Sequence, residues 1–529
     1  MIFMSDSSNE KTVRAATVMM LITLIGKILG LVRETLLAAN YGMSMQAYAF
    51  QTASRIPRVF FDAIFASAIS ASFIPIFNEN LEKEGRDRAF AFSDRFITII
   101  ILITTLLTVV GIGFSHQLTL IFSPGFDTET AILSSKLLKI MFPTVIFTGV
   151  AYSFVGILQS FDEFTIPAAL SIVSNGIIIL YYYFFNSSFG IAGLSVALLT
   201  GWAMQAIMQI PSLKKNGYKY KPRLGIVGDN SIKRVMLLML PVMVSTWVQP
   251  INIAINSRFA SHLYEGAGVS AIDYANNLYT IIAGVFILSV ANVIFPRLSR
   301  MTANNDNSSV FSTVVMTIRI LSFIIIPMTA GVMALSPQII NVIYQRGDFT
   351  AADALITSGA LFYFSLGMFG YGLQIIISRA FYAEQDGKTP FIAGLISIIV
   401  NIVMCQVLVG KMSVSGLALA SAISSTIYGL VLYILLKKKF HVSNTNGLGT
   451  SVLKMILCSL VMAAVVILIR NCLWNSELSI IFRVIVIGIA VVAGMVVYAI
   501  MCKITRLYEM TLAWNFVKNT LKKRRTEDK

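Results

Sequence analysis

Residues 17–42 read TVMMLITLIGKILGLVRETLLAANYG, and residues 47–77 continue in the same apolar character. Each run is long enough to cross a bilayer, which takes about 20 residues. Charge inside such a run is costly, about 2.5–3.5 kcal/mol per residue at the centre of an isolated helix, so charged residues there usually face a cavity, a partner or a ligand. The two runs therefore predict a cationic cavity inside a helical membrane protein, lined from Lys27, Arg33, Glu34, Arg55, Arg58 and Asp62.

The composition indicates an integral membrane protein. Of the 529 residues, 56% are hydrophobic and 12% are charged, and the mean hydropathy is +0.78. The apolar runs are uninterrupted and of helix length, which favours an all-α bundle over a β-barrel. The net charge of +16 comes from basic residues between the runs and in the tail, as expected for cytoplasmic loops beside anionic lipid, so nucleic acid is not an expected partner.

About fourteen spans are predicted from length and apolarity. Alternate connections are rich in Lys and Arg, whereas connections such as 40–46, 119–130 and 186–188 contain almost none. By the positive-inside rule, both termini are cytoplasmic. The predicted spans are 13–40, 47–79, 93–118, 131–159, 164–185, 189–212, 231–263, 268–298, 309–334, 352–380, 387–410, 413–436, 449–472 and 479–503.

The chain also repeats itself. Gly193-Leu194-Ser195-Val196-Ala197 recurs as Gly416-Leu417-Ala418-Leu419-Ala420, and Pro167 recurs as Pro390 with the same offset in numbering (416 − 193 = 390 − 167). Two six-span copies with even span numbers enter from the same side, which predicts a parallel pseudo-two-fold repeat. The expected regions are a cytoplasmic N-terminus (1–12), an N-lobe (13–223), a C-lobe (224–440), two extra spans (441–505) and a basic cytoplasmic tail (506–529).

Helical spacing places several charged residues of the first lobe on common helix faces. Arg55, Arg58 and Asp62 fall within one arc of the second span, and Lys27 shares a face of the first span with Glu34, whereas Arg33 points elsewhere. The excess of cations suits an anionic head group such as a diphosphate, which Arg can grip with two donors. The alternative is that Arg33 and Arg55 extend to an interface and that Arg58 and Asp62 form a structural pair.

The second lobe carries fewer charges within its spans. Arg258 lies in the seventh span and Asn277 in the eighth, where amides between helices more often bond one another than a ligand. A loop network or gate is predicted at the cytoplasmic end of the tenth span from Arg379, Glu384, Asp386 and Lys388.

Enzyme signatures fail along the chain. Gly387-Lys388-Thr389 resembles the end of a P-loop, but Tyr382 replaces its first glycine. His116, His262 and His441 are isolated, so the sequence supports neither a metal site nor a catalytic triad. No cofactor is expected, and no acidic cluster identifies a coupling ion. Transport energy is expected from an ion gradient, the membrane potential or the substrate's own gradient.

Seven stretches, which occur in the same order along the chain, resemble the MurJ/MviN family, the lipid II flippases of the multidrug/oligosaccharidyl-lipid/polysaccharide exporter superfamily. They are GKILGLVRE (26–34), ASFIPIF (71–77), SPGF (123–126), GILQSFDEFTIPA (156–168), FPRLSR (295–300), RGDFTAADA (346–354) and SRAFYAEQDGKTP (378–390). The resemblance implies transfer of an undecaprenyl-diphosphate-linked disaccharide pentapeptide from the inner to the outer leaflet of the bacterial plasma membrane, for peptidoglycan synthesis. It implies alternating access between the lobes and a lipid groove by spans thirteen and fourteen.

The resemblance also carries over single residues. Lys27 and Arg33 stand where the family usually has two arginines of the first span, and Arg55 stands at an often basic position. Three positions depart from the family pattern, since Phe61 and Asn277 replace expected arginines and Tyr48 replaces an expected acid. Arg58 and Arg258 are hypothesised to supply the missing charge.

These departures from the family pattern are compatible with functions other than lipid II transport. One is export of another lipid-linked polysaccharide unit, which the lost arginines favour. A drug/cation antiporter should show unpaired acids in the cavity, whereas here cations are in excess. A scaffold that only recruits cell-wall enzymes would not need the cavity charges at all. Membrane lipids and cell-wall synthesis enzymes are the further expected partners.

Overall fold

A computed structural model describes residues 6–223, 230–304, 306–440, 447–475 and 477–511, and these contain helices and no β-strand. A π-helical turn, Ile69–Phe73, joins α2 to α3, and a short 3₁₀ turn, Tyr264–Gly266, precedes α13. The helices are α1 (Asp6–Tyr41), α2 (Met45–Ala68), α3 (Ile74–Glu84), α4 (Arg86–Gly113), α5 (Ser115–Phe122), α6 (Thr128–Met141), α7 (Thr144–Ser160), α8 (Thr165–Phe184), α9 (Asn186–Ile207), α10 (Ile210–Lys215), α11 (Asn230–Thr246), α12 (Val248–Ala260), α13 (Gly268–Ala303), α14 (Asn307–Ile343), α15 (Ala351–Leu366), α16 (Met368–Ala383), α17 (Lys388–Lys439), α18 (Leu448–Leu473) and α19 (Ile480–Ile504).

The all-helical membrane architecture is confirmed, and the count of fourteen spans stays a prediction. Within the described ranges, nine helices are long and apolar enough to cross a membrane, or ten if α15 and α16, bent by 45° at Gly367, form one span. The 52-residue helix α17 is broken at Ser413 and so covers two predicted spans. The helices α1 and α2, which hold the charged residues of the first two predicted spans, lie outside that count.

The chain forms two compact units. Unit 1 is Met1–Ser270 with Arg346–Phe349, and unit 2 is Ala271–Gln345 with Thr350–Lys529. In unit 1, α11 packs against α2 and the π-helical turn, and α12 packs against α2 and α5. The seventh predicted span therefore belongs to the first compact unit, whereas the predicted lobes divide at 223/224 and remain a prediction.

The backbone repeats with the same offset as the sequence. Gly190 breaks α9 with φ +52° and ψ −148°, and Ser413 breaks α17 with φ +53° and ψ −134°. Their offset equals that of the sequence repeat (413 − 190 = 416 − 193). Asp162 and Gln385 are related in the same way (385 − 162 = 413 − 190), and both have positive φ. The two copies thus bend at matching positions even where the residue type differs.

Close packing of α1 on α8 in unit 1 depends on Gly26. Gly26 and Gly30 are four residues apart on α1, the small-residue spacing that lets membrane helices approach closely. A Cβ on Gly26 would overlap the Ser171 hydroxyl of α8, whereas one on Gly30 would lie 3.5 Å from the Asn175 amide, an ordinary van der Waals distance. This approach brings polar side chains of α8 to the charged part of α1.

Loops at one end of unit 1 meet through their backbones. Gly347 has φ +57° and lies where a Cβ would overlap the carbonyl of Ala39, and the Asp348 N–H donates to that carbonyl at 3.0 Å. A Cβ on Gly125 would come within 2.5 Å of the Ser261 backbone. The two pairs match under one common offset (261 − 39 = 347 − 125). We call these two contacts the glycine contacts. They involve loop ends predicted to lie outside the cell.

The opposite end of unit 1 is joined by polar side chains. Glu79 of α3 accepts from Lys83 and from Arg234 of α11, each at 2.9 Å, and Ser231 donates to Asn80 at 3.3 Å. All three charged side chains are about one-third or more exposed to solvent. This end is therefore held by contacts of a different chemistry from the glycine contacts.

In unit 2, the two C-terminal helices pack on α14. Met455, Cys458 and Met462 of α18 form a buried apolar cluster with Tyr498 and Cys502 of α19 and with Ala334 and Leu335 of α14. Arg319 of α14 pairs with Glu509 at 3.5 Å, and both side chains are almost fully buried. Since breaking one member of a buried pair costs about 3–5 kcal/mol, this contact fixes α14 against the segment that follows the last helix.

Candidate functional site

The charged part of α1 is built around Arg33. Its guanidinium donates to the neighbouring Glu34 carboxylate at 2.5 Å and to the Asn175 amide oxygen of α8 at 3.1 Å. Asn175 also donates to the Gly26 carbonyl at 3.2 Å, so this one amide ties two turns of α1 to α8. The side chain of Arg33 remains 29% exposed. A held yet accessible guanidinium of this kind can present its remaining N–H donors to an anion.

The other predicted cavity cations of unit 1 differ in exposure. Lys27 is exposed on α1, six residues before Arg33. On α2, Arg55 is buried at 8% exposure and Arg58 is exposed. The side chains of Asp62 and Phe61 lie outside the described part of the chain, so the predicted Arg58–Asp62 pair stays a prediction.

Three further positions singled out in the sequence lie elsewhere. Arg258, at the end of α12, donates to the backbone carbonyl of Ile121, next to the Gly125–Ser261 contact. In this structure it is bound there and is not brought to Arg33. Asn277 lies half-buried on α13, in unit 2. Tyr48, at the position of an expected acid, is buried and packs on the Phe126 ring with centroids 5.3 Å apart.

Asn175 is a residue of this candidate site that sequence reasoning missed. It is an amide in the apolar fifth predicted span, and it is 6% exposed. The sequence feature that could have identified it is a polar side chain within an apolar run, because such a group needs a hydrogen-bond partner when it is buried. The partner, 142 residues away, is fixed by how α1 and α8 cross.

The predicted loop network lies between α16 and α17, within unit 2. Lys439, at the end of α17, lies 3.2 Å from the Asp386 carboxylate and 3.9 Å from that of Glu384. Thr302 of α13 donates to Glu384 at 2.9 Å. Arg379 lies over the Phe295 ring at 5.3 Å, and Lys388 begins α17. Lys439 and Thr302 were not predicted as members.

Electrostatics in this loop favour an ionised Asp386. Its burial acts to raise the pKa, but hydrogen bonds from the Thr389 N–H and hydroxyl and from Lys439 outweigh burial, so the pKa lies below its usual value. Asp386 is therefore a carboxylate at neutral pH that caps α17 through Thr389 and holds its far end through Lys439.

Cysteine, histidine and carboxylate side chains do not gather into a metal site in the described ranges. No group of three or more of them there is placed to hold a metal ion. All four cysteines are thiols, and only Cys472 is exposed.

The fold resembles that of a solved membrane protein. It matches a solved structure titled "Inward-facing conformation of a multidrug resistance MATE family transporter of the MOP superfamily", with a TM-score of 0.67 and 12% identity, covering 80% of this chain and 98% of that one. At this identity the likeness shows the fold alone. The class that this likeness supports is a polytopic, all-helical membrane fold.

Comparison with family models and relatives gives a more specific assignment than the fold. The model of the family described as "Lipid II flippase MurJ" matches residues 37–488, and the chain belongs to this family. "Probable lipid II flippase MurJ" of Rickettsia prowazekii is 28% identical over 492 residues, 92% of this chain and 96% of the relative. A protein of the same description from Buchnera aphidicola subsp. Acyrthosiphon pisum is 30% identical over 465 residues, 86% and 90%. A solved "Lipid II flippase MurJ, inward closed conformation" matches with a TM-score of 0.76 and 27% identity, covering 92% and 98%.

Proposed function

We propose that this chain is a lipid II flippase, which moves the undecaprenyl-diphosphate-linked peptidoglycan precursor from the inner to the outer leaflet by alternating access. The observation that carries the assignment is the family match over residues 37–488. The arrangement around Arg33 is consistent with it, because a diphosphate is the anion that a positioned guanidinium binds well.

The Arg33 site suggests how the head group is recognised. A guanidinium has five N–H donors. In Arg33, one donor of Nη1 bonds Asn175 and one donor of Nη2 bonds Glu34, so the other donors are left for a ligand. A diphosphate would compete with Glu34 for the guanidinium and would add contacts to the remaining donors. Lys27, exposed on the same helix, would meet the second phosphate as a point charge. Arg55 and Arg58 of α2 are proposed to complete the cationic surface.

A second candidate is transfer of another lipid-linked polysaccharide unit. Asn277 and Tyr48 are observed at positions where the family usually has charge, and Arg258 is bound to the Ile121 carbonyl. A head group with fewer anionic contacts would suit this arrangement. A drug/cation antiporter is a weaker candidate, because the described side chains around Arg33 are cationic in excess.

Several properties follow as parts of the same proposal. The chain acts as a multi-pass protein of the bacterial inner membrane with both termini in the cytoplasm. It is a transporter without a catalytic site or cofactor, and its energy comes from a gradient or the membrane potential. Lipid II is the substrate, membrane lipids surround the chain, and cell-wall synthesis enzymes are its protein partners.

The test uses cells depleted of their own lipid II flippase. They express the intact chain, the double variant Lys27→Ala with Arg33→Ala, or a control with Lys83→Ala and Arg88→Ala, two cations that form i,i+4 ion pairs near the α3–α4 turn. Lipid II at the outer leaflet is measured with an added head-group-cleaving enzyme. We expect the intact chain and the control to restore cleavage and the double variant, at equal membrane abundance, to lose it.

Two other results would count against the proposal. If the inserted intact chain restores nothing, the substrate is another undecaprenyl-linked glycan or the chain is not a flippase. If the double variant restores cleavage fully, the cations of α1 do not bind the head group, as expected of a scaffold.

A further inference from the structure

Two arginines flank the short connection between α18 and α19. Arg470, in the last turn of α18, donates to the backbone carbonyl of Ala334 at 2.9 Å and to Asn471. Arg483, in the first turn of α19, donates to the Leu478 carbonyl at 2.7 Å and to the Asn341 side-chain oxygen at 2.9 Å. Both arginines are thus fixed to the end of α14, within unit 2.

Their contact points share one face of α14. Ala334 and Asn341 are seven residues apart, which is about two helical turns or roughly 10 Å. Gln338 lies between them on that face. It is 8% exposed, and its Oε1 is buried without a hydrogen-bond partner in the described part of the chain. Because amide oxygen and nitrogen are interchangeable in such assignments, the side chain can also present its NH₂ group.

The charge of this patch is not balanced locally. Among the described residues, Arg470 and Arg483 bond to carbonyl and amide oxygens and form no ion pair, and the acid of the connection, Glu477, is exposed. Arg483 stands in the first turn of α19, where the helix dipole disfavours a cation. Each arginine also keeps N–H donors beyond those bonded to protein, since a guanidinium has five.

The position of the patch indicates the kind of anion. With cytoplasmic termini, the α18–α19 connection lies at the outer surface, where the positive-inside rule disfavours arginine. Trp474, a residue type enriched at membrane interfaces, lies in the same connection. Next to the arginines along the two helices, large apolar side chains are exposed, among them Leu468 and Leu473 of α18 and Ile481 and Ile485 of α19. A lipid supplies both the anion and the chains that cover such a surface.

We propose that Arg470 and Arg483, with Gln338 between them, bind the phosphate group of a lipid in the outer leaflet. The phosphate accepts hydrogen bonds from the guanidinium N–H groups that are not bonded to protein, and the acyl chains lie along the exposed apolar residues of α18 and α19. The phosphate belongs to an anionic glycerophospholipid, and binding of an undecaprenyl-diphosphate lipid in its place is an outcome that the test separates. This site is separate from Arg33 and does not depend on the proposed substrate of the flippase.

The experiment measures lipid retention by the purified full chain with native mass spectrometry. Delipidated protein is titrated separately with phosphatidylglycerol, undecaprenyl diphosphate and inorganic phosphate. The variants are Arg470→Gln with Arg483→Gln, and the charge-retaining Arg470→Lys with Arg483→Lys. The matched control is Lys454→Gln with Lys503→Gln, which removes two cations from the other ends of the same two helices.

We expect the glutamine variant to lose at least tenfold in affinity for phosphatidylglycerol, the lysine variant to lose less, and the control to lose little. A loss confined to undecaprenyl diphosphate would overturn the assignment to a glycerophospholipid. Equal losses in the glutamine variant and the control would overturn the proposal, because binding would then be a nonspecific charge effect. Unchanged affinity for both lipids would also overturn it and leave the arginines as caps of α14.

Loss of folding would not decide between these outcomes, so a milder variant is included. Arg483→Gln alone keeps the bond of Arg470 to the α14 backbone and is expected to lose about threefold. Its melting temperature should stay close to that of the intact chain. An unchanged lipid affinity in this folded variant would contradict a role for Arg483.

Discussion

Arg33 shows how a charged side chain is stabilised and oriented inside an apolar helix. The guanidinium alone would be costly in a span, but Glu34 supplies opposite charge and Asn175 fixes the direction of the side chain. Asn175 donates its own NH₂ group to the Gly26 carbonyl, so it is itself fixed. The arrangement reduces the side-chain entropy that binding an anion would otherwise cost.

Removal of Asn175 should therefore weaken activity without preventing insertion. A hydrogen bond to a charged group contributes about 1.5–3 kcal/mol, so Asn175→Ala is expected to lower the rate of outer-leaflet lipid II exposure roughly tenfold. In an Arg33→Ala background the same change should add little, because the two residues act as one unit. Ser195→Ala is the control, since that buried hydroxyl bonds only within its own helix, to Ile191. Additive losses would place Asn175 outside the Arg33 unit.

Among the elements, α17 carries visible strain at its break. Ser413 adopts φ +53° with ψ −134°, a region that costs a residue with a Cβ about 1–3 kcal/mol and glycine very little. The matching break in α9 has glycine at position 190. Ser413→Gly should therefore stabilise the folded chain by about 1 kcal/mol, whereas Gly190→Ser should destabilise it by a similar amount. Thermal unfolding in one detergent compares the two variants, and shifts of the same sign would refute this account.

The loop ends of unit 1 predict a second effect at the level of elements. Gly125→Ala places a Cβ within 2.5 Å of Ser261 backbone atoms, which have no rotamer to adopt. Gly347→Ala adds the cost of positive φ, about 1–2 kcal/mol. Both variants should open this end more readily, seen as faster labelling of a cysteine placed at Ser261 in a chain that otherwise lacks cysteine. Gly113→Ala, where a Cβ meets nothing within 4 Å, should leave labelling unchanged. Equal labelling in all three would show that the contacts do not hold this end.

Sequence reasoning reached the helices and part of the site for identifiable reasons. A bilayer demands long apolar runs, so the helical architecture is visible without any contact. Lys27 and Arg33 stood out because charge is rare in such runs. The pairing of Arg33 with Asn175 and of Lys439 with Asp386 depends on how distant helices cross. The acceptor of Arg258, the Ile121 carbonyl, has no side-chain signal, because every residue carries a carbonyl.

For the whole molecule, the predicted orientation in the membrane can be measured by labelling a cysteine of the chain itself. Cys472, beside the α18–α19 connection, is exposed, whereas Cys405, Cys458 and Cys502 are buried. With both termini in the cytoplasm, a membrane-impermeant maleimide should label intact cells through Cys472, and Cys472→Ser should abolish the signal. Labelling only after the membrane is opened would reverse the predicted orientation. The same result would move the Arg470–Arg483 patch to the inner leaflet.

The two ends of unit 1 respond differently to dissolved electrolyte. The bridge from Glu79 to Arg234 joins solvent-exposed charges, and at physiological ionic strength such charges are screened over about 8 Å. The glycine contacts involve uncharged backbone and have no such dependence. Ionic strength is therefore expected to affect only the end of unit 1 that the ion pair holds. With both termini in the cytoplasm, a rise in cytoplasmic salt is expected to weaken the junction of α3 with α11 and to leave the glycine contacts unchanged.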